Sequence, residues 1–137
     1  MLNFVYSAGV GAYLTLSMAK ITNHKSGLDA EELACQFLRN SGFEILQQRY
    51  KTPHGEIDIV ARNKTTLIFV EVKKRKSFGF DDPISNKQKK RITNAALQYI
   101  SENSQISELE MRFDCILIDS GNLVTHINNA WMYEETS

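Results

Sequence analysis

The strongest constraint on the fold is a stretch of alternating side chains between Gly55 and Lys73. Successive side chains of a β-strand point to opposite faces of the sheet. The alternation is interrupted once, around residues 63–66, so the stretch predicts two antiparallel strands joined by a turn. One register brings the apolar residues of both strands to one face, and a shift by one residue would destroy the match. It pairs Ile57 with Val72, Ile59 with Val70 and Ala61 with Ile68.

The same register places charged residues on the other face of the predicted hairpin. It opposes Asp58 to Glu71, Glu56 to Lys73 and Val60 to Phe69. Directly opposed residues have Cβ atoms about 5 Å apart, so two carboxylates would lie side by side and repel each other. The pattern therefore requires something that compensates this repulsion.

A divalent cation is the natural compensation, because Mg²⁺ binds carboxylate oxygens and keeps waters or phosphate oxygens as its other ligands. Lys73 would lie beside the pair, where an ammonium group can position a water and offset charge on a phosphate. Asp58, Glu71 and Lys73 thus form a set suited to metal-assisted phosphodiester hydrolysis, with Glu56 in support. A solvated strand face with an ordinary cross-strand ion pair is the alternative interpretation.

The rest of the chain predicts an α/β fold. Apolar residues at helical spacing predict a first helix over 27–41 and a second that begins near Ser85. Further strands are predicted at 43–49, 111–119 and 123–127. The order is one helix, three strands, one helix and two strands, which favours a mixed β-sheet of about five strands flanked by helices.

Charge is distributed unevenly along the 137 residues, although 16 basic and 16 acidic side chains cancel overall. Residues 73–91 carry eight basic and two acidic side chains, whereas residues 92–137 carry one basic and seven acidic. The basic block can contact an anionic backbone, and a solvated surface is the alternative. Its candidate phosphate contacts are Lys74, Arg75, Lys76, Lys87, Lys90 and Arg91.

The N-terminal segment differs from the rest, because residues 1–19 contain no charged side chain. Polar residues and two glycines interrupt it, which argues against a membrane span or a secretory signal. We therefore expect residues 1–22 to be a peripheral extension or an early helix, ahead of one domain over 23–137. Cys35 and Cys115 lack metal-ligand spacing and are expected to be buried free thiols.

Several motifs together resemble the YraN-like proteins, an uncharacterised bacterial family with a restriction-endonuclease-like fold. Gly55-Glu56-Ile57-Asp58 and Val70-Glu71-Val72-Lys73 carry most of the resemblance. Further matches are Gly27-x-x-Ala30-Glu31, Lys87 with Arg91, Arg112-Phe113-Asp114 and His126-Ile127-x-Asn129-Ala130, so that the resemblance covers about residues 27–131. Arg49 departs from the pattern, since relatives usually carry Asn there.

The resemblance implies a nuclease core similar to Holliday-junction resolvases, with Asp58 and Glu71 as metal ligands, Lys73 as catalytic lysine and Glu31 as an accessory acid. The expected function is Mg²⁺- or Mn²⁺-dependent hydrolysis of DNA, on branched or damaged substrates, in the cytoplasm and without a small-molecule cofactor. A homodimer is left open. The alternatives are a nucleic-acid-binding module without turnover, because folds of this kind also serve in binding, and a membrane-associated scaffold that uses residues 1–19.

Overall fold

A computed structural model describes residues 29–74 and 82–133 with side chains, and residues 2–7 and 13–20 as backbone. Its strands are β1 (Leu2–Ser7), β2 (Tyr13–Lys20), β3 (Glu44–Lys51), β4 (Glu56–Arg62), β5 (Thr66–Lys74), β6 (Glu110–Ile118) and β7 (Leu123–Trp131). The helices are α1 (Ala30–Asn40) and α2 (Asn86–Glu102), with a short 3₁₀ turn at Ser104–Ile106.

The seven strands form one sheet in the order β1-β2-β7-β6-β5-β4-β3. Among the described strands, only β5 and β6 are parallel neighbours, and α2 lies in the connection between them, as a parallel pair requires. The predicted core is confirmed: α1, β3 to β5, α2, β6 and β7 follow in the expected order. The fold is a mixed sheet flanked by two helices, consistent with a restriction-endonuclease-like core.

The N-terminal segment forms a hairpin rather than the early helix that we considered. β1 pairs with β2, and β2 pairs with β7 from Thr15↔Asn128 to Lys20↔Leu123. A strand here satisfies the backbone groups along the side of β7 that faces away from β6, which explains why an uncharged run of mixed apolar residues is extended. No helix within the described ranges is long and apolar enough to cross a membrane.

Both helices begin at side-chain caps that the sequence encodes. Asp29 accepts a hydrogen bond from the Glu32 backbone N–H at 2.9 Å and starts α1. Ser85 and Gln88 form a reciprocal capping box at α2, which confirms the predicted start of this helix. The predicted first residues of α1, 27 and 28, lie outside the described residues.

The sheet separates two hydrophobic clusters, one under each helix. On the α1 side, Leu33, Phe37 and Leu38 pack over Ile59, Ala61, Ile68 and Val70. On the α2 side, Ile92, Ala95 and Tyr99 pack over Val60, Leu67, Phe69 and Phe113. Cys35 and Cys115 are both buried, as predicted.

Candidate functional site

The predicted register of the central hairpin is confirmed. β4 and β5 pair through Ile59↔Val70, Val60↔Phe69, Ala61↔Ile68 and Arg62↔Leu67. These pairs stop just before Asp58. Ile57, which we expected on the same face as Ile59, instead packs in the α2-side cluster, so that part of the prediction is wrong.

A side chain takes over from the backbone where the strand pairing stops. Oδ2 of Asp58 accepts a hydrogen bond from the backbone N–H of Val72 at 2.8 Å. This N–H would otherwise have to find a carbonyl on the neighbouring strand. The bond fixes the orientation of the Asp58 carboxylate at the end of the hairpin, and it explains why the alternation of faces breaks at Ile57.

The carboxyl groups of Asp58 and Glu71 interact with each other across the adjacent strands β4 and β5, and both side chains are partly buried. Burial raises the pKa of Glu71 to about 7, and repulsion from Asp58 adds to the rise. Burial also raises the pKa of Asp58, against the stabilising hydrogen bond from Val72. The pair therefore retains a proton into the neutral range. A divalent cation could replace this proton, so the donor chemistry fits Mg²⁺ or Mn²⁺.

Lys73 lies next to this pair. Its Nζ is 3.6 Å from Oε1 of Glu71, and its side chain is 27% exposed. The predicted cross-strand contact with Glu56 does not form; Lys73 pairs with Glu71 on its own strand. Glu56 is exposed, and its charge contributes to the raised pKa of Asp58. An ammonium group is thus held where it reaches both the acid pair and solvent.

Glu31, which the resemblance implies as an accessory acid, contacts β3. It lies in the first turn of α1 and accepts hydrogen bonds from Arg49 at 3.2 Å and from Gln48 at 3.4 Å, both on β3. These side chains line a surface depression of about 250 Å³ together with Asp29 and Glu32. Within the described ranges, no three His, Cys, Asp or Glu side chains are grouped closely enough to hold a metal.

Arg49 is an unexpected feature of this region. Its backbone has a φ of 52°, a left-handed conformation that Asn adopts more easily than Arg. Its guanidinium contacts Glu31 and, at 3.6 Å, Asp29, which ties β3 to the start of α1. The departure from Asn is visible in the sequence, but the contacts that Arg49 makes are not.

The basic residues of α2 lie at the same end of the sheet as the acid pair. Lys87, Lys90 and Arg91 are exposed, and their spacing puts them on one face of the helix. A Cβ on Gly55 would lie 3.0 Å from the Cβ of Arg91, so the turn before β4 packs directly against α2. Lys74 is exposed at the end of β5, whereas Arg75 and Lys76 lie outside the described residues.

The late-strand motifs form a buried polar cluster on β6 and β7. Asp114 is fully buried and accepts two hydrogen bonds from Arg112, both 2.8 Å long. Its oxygens also contact Nε2 of His126 at 2.7 Å and the backbone N–H of Asn129 at 2.9 Å. These partners hold the pKa of Asp114 below its usual value despite burial. Asn129 has a φ of 54° where the β6–β7 register shifts, so the cluster fixes an irregular strand.

The sheet order and the flanking helices define an α/β fold of the restriction-endonuclease-like class. The model of Uncharacterised protein family UPF0102 matches residues 30–118. The chain belongs to this family, also called the YraN family, which confirms the resemblance found in the sequence.

Curated relatives match most of the chain. UPF0102 protein bll0669 of Bradyrhizobium diazoefficiens is 40% identical over 118 residues, which are 84% of this chain and 87% of the relative. A UPF0102 protein of Nitrobacter winogradskyi is 40% identical over 115 residues, 82% of this chain and 96% of the relative. UPF0102 protein FTF0898c of Francisella tularensis is 38% identical over 109 residues, 77% of this chain and 92% of the relative.

Proposed function

We propose that this protein is a metal-dependent nuclease that hydrolyses phosphodiester bonds in DNA. The observation that carries the proposal is the partly buried, mutually repelling pair of Asp58 and Glu71 beside Lys73. Two carboxyl groups held together at this cost in repulsion and desolvation form a preorganised cation site. The proposed location is the cytoplasm, which the buried free thiol of Cys35 supports.

The roles of the residues follow from their contacts. Asp58 and Glu71 would hold Mg²⁺ or Mn²⁺, which when bound supplies Lewis-acid stabilisation and an activated water. Val72 keeps Asp58 oriented through its N–H. The Lys73 ammonium would position the attacking water and offset negative charge on the phosphate. Lys74, Lys87, Lys90 and Arg91 would contact phosphates beside the cut, together with Arg75 and Lys76.

A nucleic-acid-binding module without turnover is the second candidate. It is favoured by the position of Glu31, which contacts β3 instead of completing a set of three acids. It is also favoured by the ion pair between Lys73 and Glu71, which occupies the lysine. Both candidates use the basic end of α2, so DNA binding alone does not distinguish them.

Asp58→Asn and Lys73→Ala separate the two functions. Asn keeps the size of Asp but removes the charge, so metal affinity and cleavage should both fall, cleavage by orders of magnitude. DNA affinity without metal should hold or rise, because one negative charge near the phosphates is gone. Lys73→Ala should leave metal binding largely intact and still abolish turnover, because the two carboxylates remain.

The experiment combines calorimetry with Mg²⁺ or Mn²⁺ and cleavage of linear, single-stranded and four-way DNA by the same preparations. Asp29→Asn is a matched control, since Asn also caps a helix and α1 should stay intact. Lys64→Ala is the control for Lys73, because Lys64 lies in the turn at the opposite end of β5. If the wild type binds DNA, cuts no substrate with metal and behaves like both site variants, the binding module replaces the nuclease.

A further inference from the structure

We propose that β1 is a homodimerisation edge, at which two copies of this chain join by antiparallel pairing of their β1 strands. β1 is the terminal strand of the sheet and pairs only with β2 among the strands that the structure describes. The backbone N–H and C=O groups along its outer side therefore have no strand partner there. Such an edge is a ready template for another strand.

The two edges of the sheet differ in a way that assigns the pairing to β1. The opposite edge, β3, carries charged residues and has a register shift between Ile45 and Gln47. Arg49 adds a left-handed backbone conformation to it. Charges and irregularities of this kind prevent sheets from pairing edge to edge. β1 is Leu-Asn-Phe-Val-Tyr-Ser, with no charge and no Pro, and its six residues pair with β2 in one continuous register.

A second copy of this chain is the partner that fits this edge best, because the sequence of β1 can pair antiparallel with an identical strand. A two-fold axis through Val5 would oppose Val5 to the partner's Val5, and Phe4 to the partner's Tyr6. Aromatic pairs and pairs of β-branched residues are favourable cross-strand neighbours, and no like charges meet. The contact is isologous, so it closes after two copies instead of continuing into a fibre.

The position of β1 keeps this interface away from the acid pair. β5 is four strand spacings from β1 in the sheet order, or roughly 19 Å at about 4.8 Å per spacing. Pairing through β1 therefore leaves Asp58 and Glu71 uncovered in both copies. An interface built on one strand pair falls in the small, reversible class, below ~1,200 Å². We expect a dimer that dissociates on dilution.

Sedimentation equilibrium across the micromolar range tests the pairing on the full chain. The wild type should be a dimer at high concentration and dissociate on dilution, whereas Val5→Lys and Val5→Glu should each stay monomeric. The introduced like charges would lie close to each other across the two-fold axis. Mixing the two variants should restore a dimer whose affinity falls with salt, which shows that neither variant is merely misfolded. Gln47→Lys on β3 is the control and should dimerise like the wild type.

The inference is independent of the nuclease, because Val5 lies outside the proposed site. Metal-dependent cleavage by the Val5 variants, where the wild type cleaves, should be unchanged per subunit on linear DNA. A wild type that is monomeric at every concentration overturns the proposal. So does a dimer that Val5→Lys and Val5→Glu leave intact, or a mixture of the two that stays monomeric.

Discussion

Asp58 combines two contacts in one side chain. Its Oδ2 accepts the Val72 N–H, while its carboxyl group lies against that of Glu71. The first contact orients the carboxylate through the backbone of the adjacent strand, so no side-chain ordering is needed when a cation binds. The second contact destabilises the metal-free state, because two acids share a partly desolvated position. Together the two contacts lower the stability of the metal-free protein and would favour the form in which a cation is bound.

Glu71→Gln should therefore stabilise the metal-free protein at neutral and alkaline pH. The pKa of Glu71 is raised from 4.5 to about 7, so the folded state holds a proton that the unfolded chain releases. The wild type should lose stability as pH rises between these two values and level off above them. Gln never ionises and removes this loss, by about 1 kcal/mol after solvent screening is allowed for.

Urea unfolding in the presence of a chelator, from acidic to mildly alkaline pH, measures this difference. Glu44→Gln, at an exposed position on β3, is the control and should follow the wild-type pH profile. Excess Mg²⁺ should then stabilise the wild type and have little effect on Glu71→Gln, because ligand binding stabilises only the state that binds. Parallel pH profiles for Glu71→Gln and wild type would show that ionisation of Glu71 does not destabilise the folded state.

At the scale of elements, Gly55 connects the hairpin to the basic helix. A Cβ there would lie 3.0 Å from the Cβ and 3.4 Å from the carbonyl oxygen of Arg91. Neither atom is the far end of a flexible side chain, so the turn or the helix start must move. The packing of this turn therefore sets the distance between the basic residues of α2 and the acid pair.

Gly55→Ala should cost about 1–3 kcal/mol of stability, as overpacking typically does. It should also weaken metal-free DNA binding, because Lys87, Lys90 and Arg91 shift relative to the sheet end. Thermal unfolding and fluorescence anisotropy with labelled duplex DNA measure the two effects. Gly121→Ala is the matched control, since a Cβ there meets only Asp119 at an ordinary 3.5 Å. Unchanged stability and affinity in Gly55→Ala would mean that the turn does not set this distance.

The elements also show which parts of the structure can be predicted from the sequence. Alternation fixes the β4–β5 register and brings Asp58 to Glu71, because a one-residue shift would expose a whole apolar face. The reversal at Ile57 was missed, since it depends on a side chain that replaces a backbone acceptor. The contact of Glu31 with Arg49 was missed for a similar reason: it depends on where α1 crosses β3, which periodicity does not encode.

The N-terminal hairpin was missed because its sequence carries neither a helical nor a clear strand period. Residues 1–19 are uncharged and mixed, and two glycines lie between the strands. Its extended conformation depends on pairing with the edge of β7 that faces away from β6, which is a tertiary contact. The resemblance, over about residues 27–131, and the matched family region, 30–118, both begin after β2, so neither could supply this hairpin.

At the scale of the whole molecule, charge is separated although it sums to zero. The eight basic residues of 73–91 begin at the end of β5 and continue into α2, whose exposed Lys87, Lys90 and Arg91 lie at the same end of the sheet as Asp58. The tail from residue 92 carries seven acids against one base. On the proposed function, this basic end would attract the DNA backbone and the acidic tail would repel it, which would orient DNA toward the acid pair.

Neutralising Lys74, Arg75 and Lys76 together tests this orientation. DNA binding by the wild type should weaken steeply with salt, because each neutralised phosphate releases counterions, with a slope of about −0.9 per contact on duplex DNA. The triple alanine variant should flatten the slope by up to about three contacts. Lys64→Ala should leave the slope unchanged, since Lys64 lies at the other end of β5. Anisotropy titrations at several salt concentrations without metal give the slopes directly. Salt-independent binding, or equal slopes in wild type and triple variant, would show that Lys74, Arg75 and Lys76 are solvated and contact no phosphate. The basic residues of α2 would then be the remaining candidates for DNA contact.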